Sequence, residues 1–184
     1  IQHGFFEKNL PNPDHWNVSL LLEVRAEVPD EHFQQAAQAL LAHHDALQIR
    51  YSYSPPDGGQ GGVVDAAAGI DDGRKHPPKS PFKGGLPDSP FEGGIVQAIA
   101  ESDDACPFDR VDVSDRQGEA QRQAIERKTA EFQAKLSLEH GPLMRLVLFE
   151  RGAGQKPYLF LVLHHLVCDV VSWRALIQSL QRAL

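Results

Sequence analysis

The spacing of apolar residues changes period several times along the chain, and each change predicts an element. Ile1–Trp16 is an aromatic-bearing opening segment whose second half Pro11 and Pro13 keep out of regular structure. In Asn17–Val28, Leu22, Val24, Ala26 and Val28 alternate with polar neighbours, which predicts a strand with one wet face. Pro29-Asp30 stops it. Asp30 is suited to cap a helix that runs to about His43, with Phe33, Ala36, Ala37, Leu40 and Leu41 at helical spacing. Leu47–Tyr53 predicts a strand carrying Leu47, Ile49, Tyr51 and Tyr53 on one face.

After a gap, Asp115–Leu138 predicts a long polar helix with Ala120, Ala124, Ile125, Phe132 and Leu136 inward, ended by His140-Gly141-Pro142. Leu143–Glu150 and Tyr158–His164 are apolar strands, and Gly152 and Gly154 between them predict a hairpin. A last helix spans Ser172–Leu184, with Trp173, Leu176, Ile177, Leu180 and Leu184 inward. The order β–α–β, insertion, α–β–β–α predicts an α/β fold, a two-layer α/β sandwich in which helices cover a mixed sheet.

The gap runs from Ser54 to about Ile95. It is rich in Gly and Pro and repeats SPFKGG (Ser80–Gly85) as SPFEGG (Ser89–Gly94). Structureless loops longer than ~12–15 residues are uncommon in compact domains, so a lid, a linker and an insertion compete. Repeated Pro-Phe-x-Gly-Gly units build no core, which favours a disordered surface insertion.

Composition narrows the function. At 184 residues with 41% hydrophobic and 23% charged, the chain suits one domain with a real core. A net charge of −7 argues against nucleic acid as the main partner. No apolar run reaches about 18 residues, so no membrane partner is expected. No secretory signal is visible. Cys106 and Cys168 form no CxxC pair, which points away from a disulfide framework and a zinc site and toward the cytoplasm. The start at Ile1 and the stop inside a predicted helix suggest a piece of something longer.

The candidate chemistry lies in Leu161–Leu180, LVLHHLVCDVVSWRALIQSL, an apolar strand that reaches His164 and His165, passes Asp169 and turns helical. Successive strand side chains point to opposite faces, so the two rings cannot address one ligand if the strand persists. This disfavours a two-histidine metal site and favours one packed ring and one ring turned to a cavity. Asp169 could fix the geometry, and a neutral imidazole suits proton abstraction. The residues alone leave open whether the pair is catalytic or structural. Trp173 is core at helical spacing, Cys168 a small hydrophobe rather than a nucleophile, and the His43-His44 pair a helix end.

HHLVCD at His164–Asp169 resembles the HHxxxDG signature of the condensation superfamily of non-ribosomal peptide synthetases. IQHGFFEKNLPNP at Ile1–Pro13 is similar to that family's PIQxWFF opening, HHDALQIRY at His43–Tyr51 to its RHExLRxxF segment, and GPLMRLVLF at Gly141–Phe149 to the strand before the signature. Val171-Ser172-Trp173-Arg174 resembles the epimerization form, HHxxxDGVSWRIL. The resemblance implies a chloramphenicol acetyltransferase-like half-domain, with residues 1–184 as the N-terminal lobe of a two-lobe domain. It implies inversion at Cα of an aminoacyl or peptidyl thioester. The substrate would ride on the 4′-phosphopantetheine of a peptidyl carrier protein, with no cofactor or metal bound directly. His165 would be the catalytic acid/base, with His164, Asp169 and Trp173 supporting it. A second lobe of the same domain would supply the counterpart acid. The alternatives are a condensation domain that forms peptide bonds, and a non-catalytic truncated remnant.

Two positions depart from the pattern. Val170 stands where the family has Gly, and Gln48 where it has the Arg that supports the Asp. Arg50 and Arg145 are the candidates to replace that Arg. With the second lobe missing, the fragment alone is expected to be inactive.

Overall fold

The computed structural model describes residues 5–6, 10–25, 28–54, 94–99 and 107–184. Ala26, Cys106 and residues 55–93 of the predicted insertion lie outside the described residues.

The strands are β1 (Asn17–Glu23), β2 (Ile49–Ser54), β3 (Gly94–Ile99), β4 (Phe108–Asp112), β5 (Met144–Glu150) and β6 (Tyr158–His164). The helices are α1 (Asp30–His43), α2 (Gly118–Gln133) and α3 (Val170–Ala183). A four-stranded sheet in the order β1-β6-β5-β4 forms the frame. β6 runs antiparallel to β1, from Asn17↔His164 to Glu23↔Tyr158, and antiparallel to β5. β4 and β5 are parallel, joined through α2, which makes the sheet mixed. β2 and β3 pair in a separate two-stranded sheet, and Tyr51–Ala98 forms a second compact unit.

The mixed sheet covered by helices is observed, with helices on both faces. Met144, Leu146 and Leu148 of β5 and Leu159, Leu161 and Leu163 of β6 meet Phe33, Ala36, Ala37 and Leu40 of α1 and Leu176 and Leu180 of α3. The alternate residues Val147, Phe149, Phe160 and Val162 meet Ala124, Ile125 and Phe132 of α2. This explains why Leu146–Phe149 of β5 and Leu159–Leu163 of β6 read as unbroken apolar runs: a strand buried on both faces needs no polar alternation. Each fully buried leucine, such as Leu161, stabilises by roughly 2–3 kcal/mol over an exposed one. The edge strand β1 keeps the alternation, with Val18, Leu20 and Leu22 half-buried and Ser19, Leu21 and Glu23 exposed.

Several boundaries differ from expectation. β1 stops at Glu23, and α1 starts behind Pro29 with no side-chain cap, so Asp30 is its first residue rather than its cap. Leu47 is buried from a short 3-10 turn, Asp45–Gln48, and not from the strand that follows. The polar helix is Gly118–Gln133. On it Ala120 is exposed and Gln121 buried. The Gln121 amide donates to the carbonyls of Val113, Arg116 and Arg151 at 2.9–3.0 Å, a demand no apolar pattern reveals. Gly141 caps no helix. It sits at φ +70 past the end of α2, a left-handed backbone that favours glycine, with the movable Arg50 guanidinium against it.

No apolar period predicts β4, whose FDRVD side chains are all exposed or half-buried. Asp109 pairs with Arg145 at 3.0 Å, and Arg110 with Asp30 at 3.0 Å and Glu150 at 3.4 Å, so this edge strand is held partly by ion pairs.

Candidate active site

The strand β6 ends at His164, and from His165 the chain turns toward α3. The His164 backbone N–H donates to Leu143 O at 2.9 Å on the β5 side, whereas that of His165 donates to Trp16 O at 2.8 Å on the β1 side. The two peptides are thus pinned from opposite flanks at the place where the sheet opens.

His164 has no exposed surface. Its Nε2 lies 2.8 Å from Pro13 O, and its Nδ1 accepts the Leu166 N–H at 3.2 Å. A backbone N–H can only donate and a carbonyl can only accept, so this ring is the neutral tautomer protonated at Nε2. Burial lowers its proton affinity below the ordinary histidine value, outweighing the Pro13 carbonyl that works the other way. His164 ties the 3-10 turn Pro13–His15 to the end of the sheet. From the other side, Asp14 accepts the Leu138 N–H at 2.7 Å.

His165 is half-buried and stacks on Trp16, with ring centroids 4.7 Å apart and planes at 18°. Trp16 also stacks with Phe5 at 4.6 Å and 14°, and Phe5 meets His164 edge-on at 5.8 Å. The Nδ1 atom of His165 is buried and has no hydrogen-bond partner among the described residues. No described protein group therefore dictates its tautomer, in contrast to His164.

Asp169 serves the helix rather than the rings. It is the N-cap of α3: its Oδ1 accepts the Ser172 N–H and the Ser172 hydroxyl, each at 2.7 Å. Those bonds, the backbone one foremost, lower its proton affinity and keep it ionised. Neither Gln48 nor Arg145 takes up the support that the family's Arg would give. Gln48 Nε2 donates to Leu41 O at 2.6 Å, and Arg145 is committed to Asp109. Arg50 Nη1 donates to Ile49 O at 2.9 Å. Val170 is the first residue of α3. Trp173 packs half-buried against the core beside α1, and its backbone N–H donates to Asp169 O at 3.0 Å. Cys168 is buried, and burial pushes its thiol up to about 11, so it is no thiolate near neutrality.

The structure therefore brings together His164, His165, Phe5 and Trp16, with Asp169 and Trp173 at the start of the next helix. Sequence reasoning does not single out Phe5 and Trp16. For Trp16 the signal is the strand register, which appears only once β1 and β6 are paired. Among the described residues no group of three or more His, Cys, Asp or Glu could hold a metal ion, and no helix is long and apolar enough to cross a membrane.

The Condensation-domain family matches residues 91–183. The chain belongs to that family. As a condensation-domain chain it is 34% identical over 183 residues to one of the linear gramicidin synthase proteins of Brevibacillus parabrevis, covering 100% of this chain and 3% of that protein. It is 37% identical over 183 residues to another protein of the same synthase, covering 100% and 2%. The chain thus spans only a few per cent of the length of these curated relatives. Its fold is similar to the epimerization domain from the third module of tyrocidine synthetase B, with TM-score 0.70 and 25% identity over 99% of this chain and 32% of that one. It is also similar in fold to the starter condensation domain of rhizomide synthetase, with TM-score 0.61 and 15% identity over 97% and 36%.

Proposed function

We propose that residues 1–184 are the N-terminal lobe of an epimerization domain of a non-ribosomal peptide synthetase, and that His165 is its acid/base. The observation that carries this reading is the contrast between the rings. His164 is consumed by structure, whereas His165 stands at the strand end with its buried Nδ1 unclaimed by any described group. The substrate would be an aminoacyl or peptidyl thioester on the phosphopantetheine of a peptidyl carrier protein. The thioester acidifies Cα–H; His165 removes that proton to leave an enolate, and an acid from a second lobe protonates the opposite face. Val171-Ser172-Trp173-Arg174 supports inversion over condensation, as does the higher structural similarity to an epimerization domain. The enzyme activity belongs to the two-lobe form, in a cytoplasmic synthetase.

The second reading is a condensation domain, favoured by the family match. There His165 would position or deprotonate an attacking amine. The test is a protein joining this chain to its second lobe, supplied with a carrier-bound aminoacyl thioester in deuterated water. Deuterium at Cα with inversion is expected. A folded protein that shows no exchange but joins two carrier-bound substrates would replace the reading with condensation; neither reaction would leave the non-catalytic remnant.

A further inference from the structure

We propose that Trp16 is the positioning residue for His165, setting both its backbone and the plane of its ring; this rests on the acid/base reading above. β1 and β6 pair in antiparallel register with Asn17 opposite His164, so one step beyond the ladder Trp16 stands opposite His165. The ladder's bonding continues there, since Trp16 O accepts the His165 N–H at 2.8 Å. Side chains directly opposite in an antiparallel pair share a face, and here they meet as a 4.7 Å stack inclined by 18°.

The stack has a footing. Phe5, only 3% exposed, lies against the indole at 4.6 Å and touches the edge of the fully buried His164 ring. The Pro13–His15 turn just before Trp16 is fixed by His164 and Leu138. Hydrogen bonds perform this orienting task for His164, at both ring nitrogens. The buried Nδ1 of His165 has no such bond, and the carboxylate four residues on, Asp169, is spent on Ser172. Among the described residues the aromatic stack is what remains to hold the imidazole plane. A base must meet its proton within hydrogen-bond reach, and a misplacement of about 1 Å can cost roughly 10²-fold in rate.

The test compares Trp16→Leu, Trp16→Phe and wild type in the two-lobe protein, with two readouts. In histidine-labelled protein, NMR of the His165 ring should show the upfield ring-current shift of a stacked imidazole. Trp16→Leu should abolish that shift while the His164 signals stay in place, and Trp16→Phe should keep part of it. In the exchange assay Trp16→Leu should lower kcat roughly 10-fold or more with KM unchanged, and Trp16→Phe should restore most of it. A His165 ring that does not respond to Trp16→Leu overturns the proposal. So does a released ring with unchanged kcat, and so does a folded Trp16→Phe protein that keeps the stack but loses activity as Trp16→Leu does. If Trp16→Leu does not fold, the Trp16→Phe comparison decides. An inactive wild type would count against the acid/base reading instead, while the ring-current measurement still decides whether Trp16 holds the ring.

Discussion

The floor and the rim of the site are one residue apart in the chain. At the floor, His164 is fully buried, engaged at both ring nitrogens and neutral; at the rim, His165 is half-buried, stacked on Trp16 and unbonded at Nδ1. Both descend from the same strand end, and the chemistry of the side chain is identical. What separates them is how deep each ring lies and which partners it meets. The ring that falls inward finds a carbonyl and an amide N–H already ordered, and becomes a structural pin. The ring that falls outward meets an aromatic face, which restricts its plane without claiming its proton. A histidine can serve proton transfer only where at least one ring nitrogen is left uncommitted.

The largest effect is expected from His165→Ala in the two-lobe protein: a loss of about 10²–10⁴-fold in Cα exchange, with a stability change within about 1 kcal/mol. An equal loss of stability in this variant would make the rim structural like the floor. His164→Ala should reverse the pattern, destabilising by about 3 kcal/mol in urea unfolding, since it leaves a cavity and strands the Pro13 carbonyl and the Leu166 N–H.

pH supplies a third separation. The folded His164 holds its proton less tightly than its ordinary value of 6.5, so the unfolded chain takes up a proton before the folded one does. Its contribution to stability is complete above pH 6.5 and is lost as pH falls from there toward the folded value. Unfolding midpoints measured from about pH 7.5 to 5 should decline, and His164→Ala should flatten that part of the slope. Unaltered slope in the variant would assign the decline to other groups.

Smaller effects lie at the start of α3. Asp169→Ala removes the cap bonds to Ser172 and should lower the melting temperature by a few degrees, with the His165 ring signals unmoved. Loss of the His165 stack in this variant would show that the acid reaches the rim after all. Smallest, Cys168 should resist alkylation near about pH 8 in the folded protein and react on unfolding, because its buried thiol is held up at about 11. Rapid native-state labelling would mean that the turn between β6 and α3 opens readily.

Legibility followed the kind of force that holds each part. β5, β6, α1 and α3 rest on apolar burial, which imprints a period, and they can be read from the sequence within a few residues. β4 is stitched by the Asp109–Arg145 and Arg110 ion pairs, and polar partners far apart in sequence leave no period. α2 was legible from Ala124, Ile125 and Phe132, whereas its Gln121 anchor to Arg151 was not. The histidines at the end of an apolar strand and Trp173 at helical spacing against the core were legible from local period. Asp169 as a helix cap was not, since the expected start of α3 lay at Ser172, two residues later than observed.

The hydrophobic period alone makes the chain α/β and puts His164 and His165 at the end of the second of two apolar strands, with rings that part if the strand persists through both. Those conclusions need only the local geometry of a strand and the hydrophobic period. Which ring goes in, what Asp169 binds and which aromatic holds His165 were decided only by tertiary structure. Each ring's fate depends on the register of β1 against β6, which brings Phe5, Pro13 and Trp16 beside residues far along the chain, Pro13 and His164 being 151 positions apart. A pairing across that distance is fixed by the packing of the whole sheet, and no stretch of the chain carries it alone.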